Sequence, residues 1–222
     1  MALDRASRYA HRDTIFLLSP ARTASARGQR LIDGSGASPL ARQLQIGEGA
    51  PLCDVFASLS SLYFRGKLAY ARAFARPPRA LRGVFIITPG AGIVHEATRV
   101  TAAHLRGFAA TAVDHENDAY VAPLLRDARA LASQAGEAAR FVLLGSIASA
   151  KYVEPLSQVF GERMLFPAEF VGRGDMSRGG LLLRAVREGQ ELGYIPVLGA
   201  VRRGARPPKL PRLPRSRSAQ GA

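Results

Sequence analysis

Four short apolar runs constrain what this chain can fold into: TIFLLS (14–19), GVFIIT (83–88), FVLLGS (141–146) and YIPVLG (194–199). Each is too short for an ordinary helix. None alternates apolar with polar residues as a half-exposed strand would, so each reads as a strand buried on both faces. RMLFP (163–167) is a weaker fifth. Helical periodicity fills the gaps. The longest such segment starts near Pro51 and places Leu52, Phe56, Leu59, Tyr63, Tyr70 and Phe74 at close to 3.6-residue spacing. Others run through 100–110, 120–135, 150–160 and 177–192. Strand–helix alternation of this kind predicts an α/β fold, a mostly parallel sheet with helices on both faces. Pro77–Pro78 closes the long helix before the second strand. Residues 24–50 read as a loop with one short helix. The expected organisation is one α/β domain over 1–201 and a basic Pro/Arg-rich tail over 202–222, disordered for lack of apolar periodicity.

Charge narrows the partners. Lys and Arg number 31 against 17 Asp and Glu, a formal charge of +14. Seven of the basic residues lie in the acid-free stretch 202–217, half of that excess. Only Lys67, Lys151 and Lys209 are lysines, and the guanidinium fork of the many arginines matches phosphate bidentately. The expected partner is therefore nucleic acid or another phosphate-bearing ligand. Arginine and alanine richness also arises from GC-rich coding. No apolar stretch approaches the roughly 20 residues needed to span a bilayer. MALDRASRYAHRD at the N-terminus has no apolar core of an export signal, so a cytoplasmic protein without membrane contact is expected. Cys53 is the single cysteine, which leaves no intrachain disulfide and no cysteine-based zinc site.

Familiar motifs fail one by one. FRGKLAY has Gly-Lys without the earlier glycine or following Ser/Thr of a phosphate loop. PGAG is half a dinucleotide fingerprint. His11, His95, His104 and His115 lack metal-ligand spacing, and no cofactor or metal is expected. His95 beside Glu96 is a possible acid/base pair, though a solvated loop accounts for it more simply.

Position on the fold is more informative. Ligands of open parallel sheets bind beyond the C-terminal ends of the strands. The loops there read SPARTASARGQR (19–30), TPGAGIVHE (88–96), GSIASAKY (145–152) and GAVRRGAR (199–206). Their small residues let backbone N–H groups approach an anion, and glycine and cap residues are also what strand-to-helix turns need. Within the long helix, Lys67 shares the apolar stripe of Tyr63 and Tyr70. It either snorkels at the sheet edge, the commoner outcome, or points into the cleft toward an anion. In GRGDMSRGG (172–180), Ser177 is the expected N-cap of the last helix, with Arg173 and Arg178 bracketing an anion at its start.

Three segments together resemble the YaaA peroxide-stress family, over about 25 of the 222 residues and in the family's order. IFLLSPART (15–23) is similar to its opening strand and Ser-Pro-Ala-Lys-Thr, through Ser19, Pro20, Ala21 and Thr23, with Arg22 where the family has lysine. GSIASAKY matches at Ala148, Ser149 and Tyr152, and GRGDMSR at Arg173, Gly174, Met176, Ser177 and Arg178. The middle of the chain does not align, and no helix-hairpin-helix of the kind the family uses on DNA is evident. The resemblance implies a cytoplasmic α/β protein that binds duplex or branched DNA under oxidative stress.

The expected site therefore comprises Ser19, Arg22, Thr23, Lys67, Ser146, Ser149, Tyr152, Arg173, Ser177 and Arg178. The leading expectation is DNA binding. A rival is an enzyme of nucleobase or nucleotide chemistry, with Arg173 and Arg178 on a phosphate and Ser19, His95, Glu96 or Tyr152 at the base. A third is an interaction module working through 202–217 alone. The oligomeric state is not legible.

Overall fold

The computed structural model describes residues 13–35, 38–208 and 210. Its centre is the strand β1 (Thr14–Leu18), every residue of which is buried. β3 (Val84–Thr88) pairs with it in parallel on one side and β6 (Arg140–Leu144) on the other. β7 (Met164–Pro167) continues the parallel set beyond β6. Antiparallel strands close both edges, β4 (Gly92–His95) against β3 and β8 (Tyr194–Pro196) against β7. The resulting order is β4-β3-β1-β6-β7-β8. A two-residue pair, β2 (Ala50–Pro51) and β5 (Arg99–Val100), lies outside this sheet.

The expected mostly parallel α/β sheet is thus present, with two departures. GIVH, expected in a loop, is β4, and YIPVLG keeps only three of its six residues in an edge strand. Both edges run against the central strands, and a single hairpin or short return suffices for that, without a helical crossover. The half-fingerprint PGAG is the hairpin between β3 and β4. Gly90 and Gly92 have φ of +88° and +71°, and a Cβ at Gly92 would sit 2.0 Å from Asp127.

The β1-to-β3 connection carries α1 (Ala26–Ile32), α2 (Pro39–Gln45), α3 (Leu52–Leu59) and α4 (Ser61–Phe74). Residues 24–50, expected as a loop with one short helix, hold two, each opened by a serine: Ser25 Oγ accepts from Gly28 N at 3.1 Å and Ser38 Oγ from Ala41 N at 3.1 Å. The expected long helix is broken at Ser60, whose φ of −128° and ψ of 75° leave the helical region. α5 (Ala102–Ala110) and α6 (Asp118–Ala135) lead to β6, α7 (Ala150–Phe160) joins β6 to β7, and α8 (Asp175–Glu188) precedes β8. α4 packs on α8, and α6 on α7. The β1–β3 and β6–β7 crossovers depart in opposite directions, so right-handed connections set them on opposite faces of the sheet. One buried apolar cluster extends from Ile15 to Val197.

Chain direction reverses between the loop that leaves β1 and the loop that leaves β6. That divergence opens a crevice at their C-terminal ends. Beyond residue 197 the described chain is without helix or strand, and Ala205 O lies against Gly172. The disorder expected of the tail falls, from 211 on, outside the described residues. No helix among the described residues is long and apolar enough to cross a membrane.

Candidate functional site

Lys67 is the residue around which the crevice is built. It is 1% exposed, which overturns the expectation of a lysine snorkelling at the sheet edge. Its Nζ donates to Ser19 O at 2.5 Å and to Ser19 Oγ at 2.9 Å. The ammonium position also lies 4.6 Å from the Tyr63 ring centroid and 4.8 Å from that of Phe64. Burial in this setting lowers its pKa from the usual lysine value to about 7; Asp175 pulls it upward and Arg178 downward.

What holds a lysine there is a close helix crossing. A Cβ at Gly66 would stand 2.8 Å from Gly179 O, and one at Gly179 would stand 2.9 Å from Tyr63 Cα. Only glycine at both positions lets α4 and α8 approach so closely. Part of the glycine content of GRGDMSRGG is therefore a packing requirement one turn into α8, and Gly172, with φ of +72°, supplies the turn before it.

Ser19 directly follows β1 and Ser146 follows β6. Ser19 N and Oγ both reach Leu144 O, at 3.2 and 3.3 Å. Gly145 makes this possible, since a Cβ there would lie 3.0 Å from Ser19 Cβ. Ser146 Oγ accepts from Ala148 N at 3.3 Å and shapes the turn into α7. Ser19, Arg22, Lys67, Ser146 and Tyr152 line one cavity of about 300 Å³. An adjoining recess of about 500 Å³ shares Arg22, Lys151 and Tyr152 with it and extends over Thr23, Pro89 and Phe108. Arg22 is exposed at the shared mouth, and the Lys151 ammonium stands 5.2 Å from the Tyr152 ring centroid.

The structure thus gathers Ser19, Arg22, Lys67, Ser146 and Tyr152, with Thr23 in the adjoining recess, and leaves out the rest. Ser149 is exposed at the N-cap of α7 and lines neither cavity. Arg173 donates to Glu169 O, Ser177 Oγ and Pro208 O, away from the serine-bearing turns. Arg178 is buried, and its guanidinium is taken up by Phe170 O, at 3.1 and 3.2 Å, and by Asp175 at 3.5 Å. The expected anion clamp between Arg173 and Arg178 is therefore not built: the Phe170 carbonyl inside the fold claims one arginine and the chain's return past Gly172 claims the other. Ser177 is not the N-cap either. α8 starts three residues earlier, with Gly174 as cap and Asp175 in the first turn.

Two further expectations are corrected by strand direction. Because β4 is antiparallel, it carries His95 and Glu96 back to the N-terminal end of β3, where Glu96 pairs with Arg72 at 2.9 Å. Because β8 is antiparallel, the 199–206 loop leaves the sheet at the end opposite the crevice, and its arginines line neither cavity.

Residues missed in the sequence are Lys151, Tyr63 and Asp175. Lys151 stood inside a segment already singled out, and its place one residue before Tyr152 in the first turn of α7 was the available signal. Burial raises the Tyr63 and Tyr152 hydroxyls above the usual tyrosine range, keeping both protonated. The Tyr63 hydroxyl has no hydrogen-bond partner among the described residues. No three His, Cys, Asp or Glu side chains among the described residues gather to a metal-sized cluster. In comparison with known proteins, no family model, curated protein or solved structure matches the chain.

Proposed function

We propose that this chain is an enzyme acting on a small phosphate-bearing compound of nucleotide or nucleobase type, held in the crevice above β1 and β6. The observation that carries this reading is the two-lobed cavity with Arg22 and Lys151 where the lobes meet. Two cations at a shared mouth suit an anionic group positioned between two compartments. The larger recess, with Pro89 and Phe108 in its wall, suits a flat, partly apolar moiety. The smaller lobe ends on Lys67 and Ser19, where ligand atoms would be cut off from water. A volume of about 300 Å³ admits part of a nucleotide and not a duplex. Such a protein would work in the cytoplasm.

The test is thermal stabilisation by nucleoside mono- to triphosphates, nucleosides, free bases and inorganic phosphate. A ligand at roughly 100-fold over its Kd stabilises the folded state by about 2.7 kcal/mol, a shift of several degrees. The shift is expected with phosphate-bearing members and is lost in the double variant Arg22→Ala, Lys151→Ala. Absence of any shift across the panel sinks the reading.

DNA binding remains a second reading. It is favoured by the net charge of +14, by exposed Arg202, Arg203 and Arg206, and by the resemblance to the YaaA family, whose Ser19–Thr23 segment lies at the crevice.

A further inference from the structure

Ligand binding leaves two groups of the inner lobe without a task, Ser19 Oγ and Lys67 Nζ, 2.9 Å apart. We propose that they form a nucleophile–base pair that cleaves an ester or amide whose anionic end is held by Arg22 and Lys151. This rests on the reading of the cavity as a ligand site.

Three features of the geometry support it. Ser19 directly follows a fully buried central strand and bonds back to Leu144 O, so its hydroxyl is firmly placed while still lining the cavity. Gly145 leaves the hydroxyl clear, since a Cβ there would approach Oγ to 3.2 Å. Lys67 is tethered through Ser19 O, which fixes one N–H and leaves the lone pair of a neutral amine free to face Oγ.

The groups around Lys67 favour that neutral form. On its own helix it meets the rings of Tyr63 and Phe64, and the Tyr63 hydroxyl stays protonated. From α8, Arg178 opposes the ammonium, and Asp175, the carboxylate that favours it, is 69% exposed and bonded to Arg178. From β1 come the neutral oxygens of Ser19, and Arg22 from the loop after it and Lys151 from α7 add cations to the same lobe. Burial brings the lysine to about 7, where a base retains enough strength to take a proton and is half free to do so at neutral pH.

The step balances as follows. With Lys67 charged, the Ser19 hydroxyl accepts from Nζ and donates to Leu144 O. With Lys67 neutral, the hydroxyl turns to donate to Nζ. Oγ then forms a bond to the acyl carbon, its proton passes to Nζ, and the carbonyl electron pair moves onto oxygen. Collapse of that oxyanion expels the alcohol or amine, which takes the proton back from Lys67. Water next attacks the Ser19 ester, gives its proton to Lys67, and releases the carboxylic acid as Oγ recovers that proton. The net change is hydrolysis of one ester or amide by one water. The Ser146 hydroxyl lines the same lobe and can donate to the negative charge that develops there.

The test treats the full chain with diisopropyl fluorophosphate between about pH 5.5 and 9 and reads adducts by intact mass and peptide mapping. One adduct is expected, on Ser19, at a rate that rises with pH about a midpoint near 7. Ser19→Ala abolishes it. Lys67→Met lowers the rate by on the order of 100-fold or more and removes the midpoint. Absence of a Ser19 adduct, or equal labelling of wild type and Lys67→Met, overturns the pair, and nucleotide stabilisation surviving alongside that result leaves the binding reading intact. Should Lys67→Met fail to fold, the wild-type profile decides: a rate flat with pH overturns the proposal.

Discussion

Lys67 is an ionisable group inside an apolar core, so its energetics follow pH in a way no surface lysine does. Below about 7 the folded and unfolded chains both hold its proton, and the folded state bears the whole penalty of the buried charge. Between about 7 and the ordinary 10.5 the unfolded chain holds a proton that the folded chain has shed, so stability rises with pH. Above 10.5 that penalty is gone. Lys67→Met removes it and leaves Ser19 O without a donor, a loss that pH does not alter. The melting temperature of Lys67→Met minus that of wild type should therefore be greatest below pH 7 and fall steadily toward pH 10. A difference independent of pH would show that Lys67 is not titrating as its burial requires.

At the scale of elements, the α4–α8 crossing decides whether the site exists. Gly179→Ala would put a methyl 2.9 Å from Tyr63 Cα and 3.1 Å from the Leu62 backbone. Overpacking of this kind costs about 1–3 kcal/mol, more than the roughly 1 kcal/mol that alanine gains over glycine within a helix. Gly107, inside α5 with nothing within 4 Å of an added Cβ, is the control. Urea denaturation should show Gly179→Ala less stable than wild type and Gly107→Ala more stable by up to about 1 kcal/mol. Equal effects at the two positions would mean the crossing tolerates a wider separation. α4 has a second fixed point, outside the lining of both cavities. Tyr70, on the same stripe as Lys67, meets Tyr194 OH and Leu192 N at 2.7 Å each, tying α4 to the β8 edge.

Over the whole molecule, cations stand both at the crevice mouth and along the 202–217 stretch, and the two sets should act separately. Arg202, Arg203 and Arg206 are exposed and line neither cavity. If the chain also holds DNA, these and the basic residues beyond them release counterions on binding, and retention falls steeply with salt. Deleting 202–222 should then lower DNA retention and flatten its salt dependence, with nucleotide stabilisation unchanged. Retention unaffected by the deletion would move the DNA contact to the crevice, and retention indifferent to salt would end the DNA reading.

The apolar runs at 14–19, 83–88 and 141–146 were legible as buried strands because burial on both faces demands continuous hydrophobicity, whatever the neighbours are. The placing of Ser19 and Ser146 at strand ends followed from the same rule. Edge strands were less legible: GIVH has one partner and a short run, and nothing local states that it turns back. Direction then decided chemistry, since it carried His95 and Glu96 away from the crevice and Lys67 could be judged only with Ser19 beside it. Arg173 and Arg178 show the remaining limit. A guanidinium near a glycine-rich helix start has the same sequence whether it faces a ligand or satisfies Phe170 O, because hydrogen bonds to distant carbonyls depend on tertiary proximity that local residue types do not encode.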